Sequence, residues 1–333
     1  MSTDTVGQAA TGTVPHRRRQ QVRVRILTLT GVAVLLVTTY LFTDVTGSWD
    51  YVVQLRARKL AAMLLVAVAV ATATVLFQTV TENRILTPAI MGLDSLYLLI
   101  QTVVVYLFGA SALVATEPTL QWTVEIVVMV LFATALFRWI FTGAGRSIHL
   151  LVLVGVLFGV LFRSVTHLLQ RMIDPAEFAV LQDAFFASFS VQPQLLGLSA
   201  ATITLATVGL LLIGRQVDVL GLGRAHAIGL GVHHRQLVAA VFALVAVLVA
   251  VSTALVGPIT FLGLIVANLA YHLIGSHLHR HTVPAAILLA VIFLVGGHLL
   301  LERIFDLGTV LAVVIEFVGG IFFIILVTRK GAR

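Results

Sequence analysis

Ten apolar runs, each near the length needed to cross a bilayer, leave this chain few ways to fold. A hydrocarbon core about 30 Å thick takes about 20 residues of helix at about 1.5 Å rise per residue. The runs cover residues 26–43, 60–80, 89–109, 122–140, 148–168, 199–214, 236–256, 259–275, 284–301 and 309–328. Lipid offers the backbone no hydrogen bonds, so such runs satisfy themselves as helices. Only 11% of the 333 residues are charged, against roughly 25% in a soluble domain. The expected fold is an all-α integral membrane protein with about ten transmembrane helices. The sixth and eighth runs carry the weakest signal. The eighth follows Gly257-Pro258, which predicts a sharp or re-entrant turn buried in protein.

A net charge of +7 could suit nucleic acid, but basic residues flanking apolar spans usually orient a membrane protein. Residues 1–25 read as a disordered cytoplasmic tail with a basic cluster at Arg17, Arg18 and Arg19, and residues 26–330 as the membrane domain. A cleaved signal peptide competes with that reading, but Ile26 to Phe42 is long and lacks a small-residue cleavage pattern. With the tail inside, ten spans place fifteen of the 21 Lys and Arg residues on the cytoplasmic side and six outside. Both termini are therefore expected in the cytoplasm. Cysteine is absent from the sequence, which excludes disulfides and thiolate metal sites.

One polar interruption, VDVLGLGRAHAIGLGVHHRQ at 217–236, superficially resembles a phosphate-binding loop. A Walker A loop needs Gly-Lys-Ser/Thr, and the two lysines, Lys59 and Lys330, follow no glycine. The dinucleotide pattern fails as well, because His226 stands where a third glycine is needed after Gly221 and Gly223. The segment reads instead as short helices broken by glycine, presented to the cytoplasm as a connector or a docking surface.

Leu220-x-Leu222-Gly223-x-x-x-Ala227-x-x-Leu230-Gly231-Val232 is similar to a segment of the permeases of ATP-binding cassette importers for iron siderophores, haem and cobalamin. Three further boxes resemble that family in the same order. They are Gln78-x-x-x-x-Asn83 with Pro88 and Gly92, Gly257-Pro258-Ile259-Thr260-Phe261-Leu262-Gly263-Leu264, and Val318-Gly319-Gly320-Ile321-Phe322-Phe323. The family's Pro-His after the third box is Ala267-Asn268 here, its Asn-Pro is Asn83-Arg84, and its S-x-G-A is Asp94-Ser95-Leu96-Tyr97. ILTPAIMGLDSLYLLIQ resembles the branch associated with anionic ferric siderophores.

The resemblance implies a cobalamin-importer-permease-like architecture and a dimer of permeases with the pathway between them. It implies that segment 217–235, through Leu220, Leu222, Gly223, Arg224, Ala227, Leu230, Gly231 and Val232, contacts a cytoplasmic ATPase subunit. ATP and Mg²⁺ would sit in that partner, and no cofactor in this chain. A binding protein outside the membrane would deliver the ferric siderophore. Haem, cobalamin, or ion-coupled secondary transport are the alternatives.

Polar residues within spans mark a pathway, an interface or a locally satisfied site. Glu316 reads as pathway or dimer interface, or as a hydrogen-bonded group beside Gly319-Gly320. Arg163 and His167 either snorkel or meet an anionic chelate. His298 reads as packed rather than liganding, and no H-E-x-x-H surrounds it. The outer acids Asp174, Glu177, Asp183, Glu302 and Asp306 read as a solvated loop or as contacts for a binding protein. His272, His277, His279 and His281 read as a solvated cytoplasmic loop, with metal binding the minor alternative.

Overall fold

The computed structural model describes residues 14–43, 48–142, 148–183 and 185–302, and 314, 315, 317–322, 324 and 328 of the last segment. Every regular element among them is helical: α1 (Val14–Phe42), α2 (Trp49–Val80), a 3-10 turn (Pro88–Met91), α3 (Leu93–Phe108), α4 (Ala110–Ala115), α5 (Pro118–Thr142), α6 (Ile148–Gln170), α7 (Pro175–Asp183), α8 (Pro193–Leu220), α9 (Arg224–Gly229), α10 (His234–Val256), α11 (Leu262–Ile274) and α12 (His279–Leu300). Seven described helices are long and apolar enough to cross a membrane: α1, α2, α5, α6, α8, α10 and α12. The shorter apolar helices α3 and α11, with the helical residues of the last segment, fill the remaining expected runs.

Three boundaries differ from the sequence reading. The helix expected from residue 26 begins at Val14, so residues 14–25 are helical rather than disordered, while 1–13 lie outside the described residues. Pro15 suits a first turn, and the Arg and Gln residues after it are good helix formers. Arg25 then ties this extension to the Leu273 carbonyl at the end of α11. At the other membrane face α2 starts at Trp49 instead of residue 60, and its Arg56 donates to the Tyr40 and Thr43 carbonyls that α1 leaves unpaired at its C-terminus. The weak sixth run is a 28-residue helix, α8, which continues through Asp218 into the polar segment.

Helix α2 is the centre of the bundle and packs against α1, α8, α10, α11 and α12. It is buried on nearly all sides because its middle, from Ala62 to Ala73, is rich in alanine. Small residues let neighbouring backbones approach, which drives helix association where lipid removes the hydrophobic incentive. At the contact with α11, a Cβ on Gly263 would lie 2.1 Å from Thr74 Oγ1.

Helix α11 spans only about 20 Å at 1.5 Å per residue, less than the hydrocarbon core. The gap is filled by the turn after α10, in which Gly257 takes φ +97° and Gly257, Pro258 and Ile259 are all buried. Irregular backbone is thus shielded by protein, as the Gly-Pro pair predicts. The same device precedes α3: Pro88 opens the 3-10 turn and Gly92 closes it at φ +82°. A Cβ on Gly92 would come within 2.7 Å of the Gly159 Cα on α6.

Candidate functional site

Segment 217–235 is a short capped knob whose sequence pattern has a structural reading residue by residue. Leu220 and Val217 end α8 with buried side chains that anchor it to the bundle. Gly223 follows at φ +93°, ψ 159°, a region open essentially to glycine alone, and its carbonyl accepts the first helical bond of α9 from the Ala227 N–H at 3.0 Å. Ala227 is fully buried, where a larger side chain would lift the helix away. Helix α9 ends in a Schellman motif: the Val232 N–H donates to the Ala227 carbonyl and the Gly231 N–H to that of Ile228, both at 3.0 Å, with Gly231 at φ +80°. The A-x-x-L-G-V half of the motif is therefore a helix stop.

What the knob presents is apolar and basic. Leu222, Ile228 and Leu230 are 59%, 54% and 63% exposed. Arg224, His226, His233 and Arg235 surround them, also exposed. Apolar side chains held out among charges, beyond the ends of the spans, mark a contact surface.

The first motif box lies beside the knob. Gln78 and Asn268 donate to one acceptor, the Arg84 carbonyl, at 2.8 and 2.9 Å. Asn83 Oδ1 accepts the Ile85 N–H at 2.9 Å, an Asx turn that starts the reversal. The Arg84 guanidinium stacks 4.6 Å from the Tyr271 ring centroid and approaches His277 Nδ1 at 3.1 Å. A cleft of about 350 Å³ separates this loop from Gly221–Gly223. Gln78 lines it, and Gln78 Oε1 is buried without a hydrogen-bond partner.

The histidine loop is not uniformly solvated, contrary to the sequence reading. His279 is 6% exposed, held 2.6 Å from Asp218 Oδ1 through Nδ1 and 2.8 Å from Thr79 Oγ1 through Nε2. His281 Nδ1 pairs with Ser276 Oγ at 3.2 Å. His277, His279 and His281 thus work in separate contacts.

The remaining motif glycines set packing. A Cβ on Gly319 would sit 2.3 Å from Phe261 Cβ, so the third and fourth boxes touch, whereas Gly320 faces open space. Arg163 is exposed on α6, and His167 pairs with Gln170 at 3.2 Å. His298 packs edge-on against Tyr40 at 5.6 Å. Glu316, Asp306 and the side chain of Asp183 lie outside the described residues.

Sequence reading missed two features. Glu125, 3% exposed on α5, accepts from Gln101 at 2.7 Å and Gln121 at 2.9 Å. Its signal was a Glu four residues after a Gln inside an apolar run. Gly155 and Gly159, one turn apart on α6, seat Met91 and Gly92.

The profile of the FecCD transport family matches residues 25–329. The chain belongs to the FecCD transport family. It is 42% identical over 309 residues to the petrobactin import system permease protein YclO of Bacillus subtilis (strain 168), covering 92% of this chain and 98% of that one. The petrobactin import system permease protein FatC of Bacillus anthracis is 34% identical over 282 residues, 84% of this chain and 80% of that protein. A solved metal-chelate type ABC transporter in an inward-facing conformation superposes with a TM-score of 0.77 over 92% of this chain and 99% of that one, at 21% identity. The chain is accordingly a multi-pass membrane permease of the FecCD fold.

Proposed function

We propose that this permease carries a ferric siderophore across the cytoplasmic membrane, driven by ATP hydrolysis in a separate subunit that docks on segment 217–235. One observation carries the docking reading: Leu222, Ile228 and Leu230 stand exposed on a knob whose two ends are fixed by Gly223 and the Gly231 cap. A capped helix on a continuous α8 transmits a push without stretching, and its basic rim suits an acidic partner surface. The excess of Lys and Arg on the knob's side supports a cytoplasmic address for it and for both termini.

The petrobactin permeases at 42% and 34% identity support the siderophore branch over haem or cobalamin. A second permease subunit completes the pathway, and an extracytoplasmic binding protein supplies the chelate. This chain then does no bond chemistry; it offers alternate access while ATP and Mg²⁺ are handled by the partner.

The test is uptake of radiolabelled iron by the complete complex in liposomes, offered as petrobactin and other siderophore chelates, with haem and cobalamin in parallel. ATP-dependent accumulation of a siderophore chelate is expected. Uptake of only haem or cobalamin, or uptake driven by an ion gradient without ATP, defeats the reading.

A further inference from the structure

Three helix ends that are far apart in sequence meet at one side chain, His279. Asp218 lies in the last turn of α8, Thr79 next to the end of α2, and His279 opens α12. Asp218 Oδ1 accepts twice, from the His279 backbone N–H at 2.8 Å and from ring Nδ1 at 2.6 Å. Thr79 Oγ1 meets ring Nε2 at 2.8 Å.

Donor accounting sets the direction of the bond to Asp218. A carboxylate accepts only, so Nδ1 donates. Thr79 Oγ1 also lies 2.9 Å from the Val75 carbonyl, so the hydroxyl joins the backbone of α2 to the ring.

We infer that Asp218, His279 and Thr79 form a positioning joint that passes displacement of the docked segment from α8 into α2 and α12. The inference rests on the reading of 217–235 as the docking surface. Asp218 belongs to the same continuous helical turn as Leu220, three residues before the knob breaks away at Gly221–Gly223. The joint links that turn to α2, the helix at the centre of the bundle. Apolar burial of Val217, Leu220 and Ala227 holds the knob in place independently. The joint is therefore not the knob's only anchor. The adjoining cleft of about 350 Å³ leaves the knob free to shift against the 78–84 loop.

The test uses the whole importer in liposomes, with Asp218→Asn and Thr79→Val made separately. Asparagine keeps an acceptor for the His279 backbone N–H and removes the carboxylate; valine removes the hydroxyl that meets Nε2 and keeps the volume. Both variants leave the exposed Leu222, Ile228 and Leu230 that carry the docking reading unchanged, and both are expected to copurify with the ATPase at the wild-type level. Chelate moved per ATP hydrolysed is expected to fall at least about fivefold, while hydrolysis itself stays within about twofold. A wild-type transport-to-hydrolysis ratio in both variants overturns the joint. So does loss of ATPase copurification from Asp218→Asn, since residue 218 would then act in docking. The docking reading fails separately if Leu222→Ser with Leu230→Ser still binds the ATPase normally.

Discussion

Gln78 on α2 and Asn268 on α11 donate to the same oxygen, the carbonyl of Arg84, at 2.8 and 2.9 Å. Gln78 opens the first motif box and Asn268 follows the third, and their shared acceptor fixes the loop that borders the knob. Removing either amide forfeits a hydrogen bond of about 1 kcal/mol. Because the acceptor is shared, Gln78→Ala and Asn268→Ala are expected to couple by more than about 0.5 kcal/mol in a double-mutant cycle on thermal unfolding in detergent. Strict additivity would show that the two amides act independently.

Gly263 has no room for a side chain. A Cβ there lies 2.1 Å from Thr74 Oγ1 and 3.1 Å from Thr74 Cβ. Gly263→Ala is expected to destabilise the permease by about 1–3 kcal/mol through overpacking. Thr74→Ala deletes the nearest obstructing atom, so the double variant should recover most of the lost melting temperature. A Gly263→Ala protein as stable as the parent would count against the close α2–α11 contact.

How far the sequence foretold all this depends on whether a residue's signal is local. Ten apolar runs and four glycine-bearing boxes are local, and they led to the helices, the buried Gly257 turn and the knob. Helix ends were misjudged where polar residues continue a helix, as Arg and Gln do in α1 and Asp218 does in α8. Hydrophobicity ends at the membrane, but hydrogen bonding along the helix does not. His279 looked solvated because its burial comes from Asp218 and Thr79, 61 and 200 positions away. Gly155 and Gly159 were invisible for a similar reason: a glycine in an apolar run is distinguished only by the backbone it touches.

Glu125 offers a test of how polar groups are tolerated inside the bundle. Its Oε1 accepts from both Gln101 and Gln121, and all three lie on α3 and α5. Glu125→Gln keeps an acceptor oxygen and is expected to fold with little loss. Glu125→Ala leaves the Gln101 amide without its acceptor and Gln121 with only its 3.2 Å contact to Gln101 Oε1, and should cost about 1–3 kcal/mol. Melting curves of the two purified variants in the same detergent would separate them; equal curves would mean the cluster contributes nothing.

Gly223 and Gly231 both have positive φ, yet they should answer differently to the same substitution. Gly231 sits at φ +80° with no atom within 4 Å of an added Cβ, so its constraint is backbone conformation alone. Asparagine tolerates the left-handed region better than other non-glycine residues, whereas a β-branched residue is a genuine outlier there. Gly231→Asn is therefore expected to retain ATPase binding and transport, and Gly231→Val to lose both while the permease still inserts. Gly223 at φ +93°, ψ 159° lies where asparagine is strained as well. Gly223→Asn should fail like Gly223→Val, by about 1–3 kcal/mol of strain placed on the start of α9. Copurification of the ATPase with the four variants, checked against membrane insertion, reads the difference; full activity of Gly223→Asn would show that the knob tolerates a different entry to α9.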